Sequence, residues 1–185
     1  MIAPAGLGSW RERLLRVWFD ELGPDDWFRT DDAVDAMLER EFAEDWRREK
    51  EREADAFVRD EDTARAAILL FDQIPRNIHR GTARAYATDP LALRIAHRAI
   101  ARGWVESMTQ EQAQFALMPL MHSEDLADQD LSVRLFARYA PGALEFARSH
   151  REAIARFGRF PHRNALLGRE TTPEERQAIA DGLAW

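Results

Sequence analysis

TQEQAQFALMPLMHSED, residues 109–125, reads as a helix start, an apolar stripe and a polar exit. Thr109 and Gln112 stand at the spacing of a capping box, in which each side chain answers a backbone N–H that the first turn leaves without a partner. Phe115, Met118 and Met121 then recur at an interval that keeps side chains on one helix face. His122 comes four residues after Met118, so it faces inward at the helix end. In the exit, Ser123 or Asp125 is placed to cap a following helix.

The same signals extend in both directions. Ser9 with Glu12 is a second capping box ahead of Trp10, Leu14, Val17 and Trp18, and Gly23-Pro24 stops that helix. Asp31 or Asp32 starts the next, with Val34, Met37, Leu38, Phe42 and Trp46 along one face. Ala64, Ala67, Ile68 and Phe71 mark another. Thr88-Asp89-Pro90 sets a cap before a first-turn proline, for a helix running to Gly103. Leu131, Leu135 and Tyr139 define a helix ended by Pro141-Gly142. Leu144, Ala147, Ile154 and Phe157 follow, with Gly158 as the left-handed stop. Thr172-Pro173-Glu174-Glu175 opens a short helix through Ile179 and Leu183. No two-residue alternation or Asn-Gly hairpin signal interrupts the series. The expectation is an all-α single domain, residues 1–185, of seven or eight helices packed as antiparallel hairpins. No internal repeat of helical-repeat length is visible.

With 185 residues, 45% hydrophobic and 32% charged, the chain has the composition of a globular protein. It has no cysteine, which excludes disulfides, thiolate catalysis and cysteine-ligated metals. The opening MIAPAGLGSW has neither a basic region nor an apolar stretch of signal-peptide length, and no run approaches a membrane span, so a cytoplasmic location is expected. Net charge is −7, concentrated in residues 20–62, where 18 Asp/Glu face 7 Lys/Arg. Within that part, residues 47–62 read as a charged helix extension or mobile connection. Residues 151–169 reverse the sign, with five arginines against Glu152. The overall acidity argues against nucleic acid as a partner, and nothing points to a membrane.

FDQIPRN (71–77), RGTARAYATD (80–89), MPLMHSEDLADQ (118–129) and RFGRFPHRNALLGR (156–169), with VWFDELGPDDWF (17–28), together resemble a bacterial family catalogued as a domain of unknown function. The resemblance spans nearly the whole chain and implies a tetratricopeptide-like helical fold. It implies no activity. The chain departs from the family's pattern at Ile74, where Phe is usual, at His79, where Tyr is common, and over the charged stretch 47–62.

The polar residues in these motifs are the candidate site. Asp72 and Arg76 are an i,i+4 ion pair if the helix survives Pro75. With Gln73, Asn77 and Arg80 they form either a network that locks a helix end or an anion clamp. His122 beside Glu124 and Asp125 offers a general base with an orienting carboxylate, or simply a helix cap. His150, on an apolar face with Phe146 and Ile154, reads as a hydrogen-bonded core histidine. Arg159, His162, Arg163 and Asn164 sit on a stiff loop after Gly158, where guanidinium forks suit phosphate or carboxylate. Their partners are the protein's own carboxylates or an anionic ligand. The leading expectation is a module that binds a small anionic ligand or acidic peptide. The alternatives are a metal-independent hydrolase with His122 as base and a protein-interaction scaffold; no metal or cofactor is called for.

Overall fold

The computed structural model describes residues 9–183, and among these no strand occurs. The chain divides into two compact units, one of residues 9–80 with 84–102, the other of residues 81–83 with 103–183.

In the first unit, α1 (Trp10–Arg16) runs on into a wide π turn, Val17–Glu21, and α2 (Pro24–Trp27) is a single turn. The Ser9–Glu12 capping box is formed. Asp31 caps α3 (Asp32–Glu49) by accepting from Ala33 and Val34 N–H. After α3 a 3-10 turn, Ala54–Phe57, sends Phe57 into the core, where it meets Phe71 edge to face with ring centres 5.1 Å apart. α4 (Glu61–Ile68) continues through a second π turn, Leu69–Gln73, into α5 (Ile74–Ile78), and α6 (Asp89–Ala101) closes the unit. α1 and α6 both pack on α4, and α3 packs on α5. Leu38, Phe42, Trp46, Ile68, Leu69 and Phe71 are fully buried between them.

The π turn at 69–73 answers Pro75. Proline has no N–H, so the Phe71 carbonyl four residues earlier loses its usual donor. Thr88 supplies one instead: its hydroxyl donates to Phe71 O at 2.7 Å and accepts from Trp46 Nε1 at 3.1 Å. Thr88 stands at the expected start of α6, but its side chain makes no cap bond there. It ties three segments together.

The second unit begins with a 3-10 turn, Trp104–Ser107, followed by α7 (Gln110–Met121), α8 (Leu126–Tyr139), α9 (Leu144–Phe157) and α10 (Pro173–Ala180). α7, α8 and α9 pack on one another, and α10 lies on the 3-10 turn Pro161–Arg163. The boxes at Thr109–Gln112 and Thr172–Glu175 are both formed, and Gly158 ends α9 at φ 67°. Two faces differ from expectation. α8 buries Gln129, Ser132 and Phe136, leaving Leu131, Leu135 and Tyr139 half-buried. The cause is the end of α7, whose last carbonyls lack helical donors. Gln129 Nε2 supplies them, donating to Met121 O and Ser123 O, each at 2.7 Å. α9 buries Ala147, His150, Ala153 and Ile154, a stripe that puts Phe146 at its edge, 59% exposed.

Replacing Thr88 by the equally shaped Val removes the donor to Phe71 O and the acceptor for Trp46. Each buried group left unsatisfied costs about 1–3 kcal/mol. Urea unfolding of Thr88→Val is expected to show a loss in that range or above with an unchanged slope. A loss below about 0.5 kcal/mol, the level of an ordinary surface change, contradicts the assignment.

Candidate functional site

Asp72, Arg76, Asn77 and Arg80 belong to the first unit. Asp72 is fully buried, and Gln73 Nε2 donates to its Oδ2 at 2.6 Å. The i,i+4 pair expected from the sequence is present, with Arg76 Nη1 3.5 Å from Asp72 Oδ1. Arg76 also donates to the Asp72 carbonyl. It forks onto Asp89, Nη1 to Oδ1 at 2.8 Å and Nη2 to Oδ2 at 3.0 Å. Burial opposes the charge on Arg76, but Asp72 and Asp89 outweigh it and hold its pKa above the ordinary arginine value. Asp35 of α3 takes the other two residues. Asn77 Nδ2 donates to it at 2.7 Å, and Arg80 donates through Nε and Nη2, both at 3.0 Å. These donors close on carboxylates of their own unit and tie α5 to α3 and α6.

The remaining candidates lie in the second unit. Arg159 is a fork on Glu175, Nε to Oε1 at 2.7 Å and Nη2 to Oε2 at 3.0 Å, with Nη2 also on Glu170 O at 2.8 Å. Glu175 is nearly fully buried and accepts from Asn164 Nδ2 at 3.1 Å and from Thr172 N–H at 2.8 Å. The Arg159 guanidinium, foremost, holds the Glu175 carboxyl down to about 2, against the effect of burial. Asn164 is itself fully buried. Arg159, Asn164 and Glu175 therefore fasten α10 to the loop after α9.

His122, Glu124, His162 and Arg163 gather around Phe160. Arg163 stacks on the Phe160 ring, its Cζ 4.4 Å from the ring centre, and Nη1 donates to His122 O at 3.2 Å. The His150 ring lies 5.5 Å from Phe160 and 6.1 Å from His122, and His162 lies 5.8 Å from Phe160. His150 Nδ1 is 2.8 Å from Phe146 O, the contact of a ring N–H donating to a carbonyl one helical turn back. Burial first, then His122, with Arg163 and His162 adding to it, push the His150 pKa down to about 3. His150 is therefore neutral at pH 7. Glu124 accepts Phe160 N–H at 2.8 Å on Oε1 and a fork from Arg169, Nη1 to Oε2 at 2.7 Å and Nη2 to Oε1 at 3.0 Å. Burial raises the Glu124 pKa, but the Arg169 and Phe160 bonds outweigh it and leave it low. Asp125 caps α8 through Ala127 N–H at 2.7 Å, and the Ser123 hydroxyl donates to Asp128 at 2.7 Å.

Sequence reasoning overlooked Arg169, which stands inside a quoted motif, and the carboxylates Asp35, Asp89 and Glu175. Glu175 was legible as a capping residue but not as the partner of Arg159, sixteen positions away. Asp35 carried no local signal, and Asp89 was legible only as part of the Thr88-Asp89-Pro90 helix start. Among the described residues no group of three or more His, Asp and Glu side chains could hold a metal ion.

Residues 14–182 match the sequence profile of a bacterial protein family of unknown function, DUF924. The chain is similar to a protein of unknown function from Agrobacterium tumefaciens, whose solved structure superposes with a TM-score of 0.87 at 40% sequence identity. That match covers 93% of this chain and 97% of the other. No curated protein matches the chain.

His150 and Glu175 both contribute to the acid limb of stability. An unfolded histidine takes up its proton near 6.5, while His150 in the fold stays neutral to about 3. Between those values the unfolded chain binds more protons, so stability falls as pH falls. Glu175 behaves likewise from its ordinary 4.5 down to about 2. Unfolding free energy measured against pH is expected to be shallower for His150→Gln between 6.5 and 4.5. Glu175→Gln is expected to flatten only the lower window. A His150→Gln profile that keeps the wild-type slope contradicts the burial assigned to the imidazole.

Proposed function

The chain belongs to this bacterial family of unknown function, and we propose that its second unit binds a small anionic group, a phosphate ester or carboxylate, at the cluster of His122, His162, Arg163 and Arg169 around Phe160. Support comes from two guanidiniums gathered at one residue: Arg163 stacks on the Phe160 ring, and Arg169 donates to the Phe160 carbonyl. In a protein of net charge −7, such a pair of fixed cations attracts anions, and guanidinium forks match the two-oxygen face of phosphate and carboxylate. The forks of Arg76, Arg80 and Arg159 meet Asp89, Asp35 and Glu175, whose side chains are 17%, 18% and 3% exposed, whereas Glu124, which holds the Arg169 fork, is 30% exposed. The proposal is therefore narrower than the loop and helix motifs together.

A hydrolase reading, with His122 as general base, has less behind it. The two carboxylates the sequence offers to orient His122 are occupied, Glu124 by Arg169 and Phe160 N–H, Asp125 by the α8 cap. A scaffold reading draws on the exposure of Leu126, Phe146 and Leu167 in the same unit. Single exposed apolar side chains are common on any surface and carry less weight.

Thermal melting at constant ionic strength, with chloride replaced by phosphate, small phosphate esters or dicarboxylates, tests the proposal. A ligand at a hundred times its dissociation constant stabilises by about 2.7 kcal/mol, a shift of roughly 5–10 °C for a chain of this size. Arg163→Lys, which keeps the charge and loses the fork, is expected to lose most of that shift. Arg159→Lys is expected to melt lower yet keep it. No shift from any anion, or an equal shift in Arg163→Lys, overturns the proposal.

A further inference from the structure

We infer that Glu124 is a built-in occupant of the anion site, and that an incoming phosphate or carboxylate binds by displacing it. This inference rests on the anion-binding reading above and adds its regulation. Three donors converge on the Glu124 carboxylate: Phe160 N–H at 2.8 Å and the two arms of Arg169 at 2.7 and 3.0 Å. Any small oxyanion can accept from the same three, because a guanidinium fork with an adjacent backbone N–H is a generic receptor for paired oxygens.

The receptor does not depend on Glu124 for its shape. Arg169 Nη2 is also bonded to Phe160 O at 3.2 Å, so the fork stays aimed when the carboxylate leaves. Arg163 is held by the Phe160 ring and by His122 O. The turn that carries Glu124 has ordering contacts of its own. Ser123 and Asp125 on either side make the contacts that order the link into α8, Ser123 to Asp128 and Asp125 to Ala127 N–H.

Glu175 shows what a locked pair looks like. Its side chain is 3% exposed, and it accepts from Arg159, Asn164 and Thr172 N–H. Glu124 is 30% exposed and Arg169 23%. Releasing Glu124 to water therefore returns a charge to solvent that was already partly hydrated, and the ligand's charge takes its place beside Arg169. No net ion pairing is lost. The site is thus self-occupied at rest, and weak anions compete poorly with a tethered carboxylate at high effective concentration.

Glu124→Ala, titrated with acetate, formate and inorganic phosphate at constant ionic strength and followed by thermal melting and calorimetry, tests this. The variant is expected to melt below wild type in chloride and to be restored saturably by these anions, at least tenfold more tightly than wild type binds them. Adding Arg169→Gln is expected to abolish the gain. Preference for acetate and formate identifies a carboxylate ligand, and preference for phosphate identifies a phosphorylated one. If Glu124→Ala fails to fold, Glu124→Gln, which keeps the shape and drops the charge, is read in the same titration and is expected to bind phosphate more tightly than wild type. Wild-type binding with no gain in either variant overturns the self-occupied site while leaving the anion module standing. A gain confined to the variants supports displacement and counts against simple anions as ligands of the resting protein. No binding by any of the three proteins overturns both.

Discussion

Helix ends inside a protein expose carbonyls and amides that no helical partner can reach, and each must be answered from elsewhere. In this chain the answers come from polar side chains, some within one helical turn and others far along the sequence. Thr88 serves the Phe71 carbonyl that Pro75 abandons, and Arg76 serves Asp72 O. Gln129 serves the end of α7, and Arg163 reaches His122 O one residue further on. Glu124 receives Phe160 N–H. The motifs that stand out in the sequence are, for the most part, these answers.

That constraint decides which arginines are committed to a buried carboxylate. A buried carboxylate needs its cation, and removing one partner of such a pair costs far more than the pair contributes. Asp72 and Glu175 are in that position, and they commit Arg76 and Arg159 to the fold. The group around Phe160 differs. There the guanidiniums of Arg163 and Arg169 are oriented by a ring and by carbonyls, and the carboxylate that meets Arg169 is partly hydrated. A frame held by neutral groups can exchange one anion for another.

Much of the architecture was legible because it is written locally. Ser9 with Glu12, Thr109 with Gln112 and Thr172 with Glu175 sit three residues apart and form the boxes their spacing implies, and Gly158 adopts the left-handed stop. Helix faces were less legible where a polar residue had a structural duty. Gln129 is buried ahead of Leu131 because α7 needs its amide, a requirement that no apolar stripe reveals. The ion pairs were half legible. Asp72 with Arg76 lies within one helical turn, whereas Arg80 with Asp35 and Arg169 with Glu124 each span 45 residues. Sequence spacing carries no information about which of several carboxylates a fork will meet, so the split between arginines held by buried carboxylates and those gathered at Phe160 appears only in three dimensions.

The central claim is that split, and side-chain NMR of the arginine Nε–Hε groups during a phosphate titration tests it most directly. Signals of Arg163 and Arg169 are predicted to move with saturation while those of Arg76, Arg80 and Arg159 stay fixed. Movement of Arg76 and Arg159 alongside them, or stillness at Arg163 and Arg169, would contradict the account.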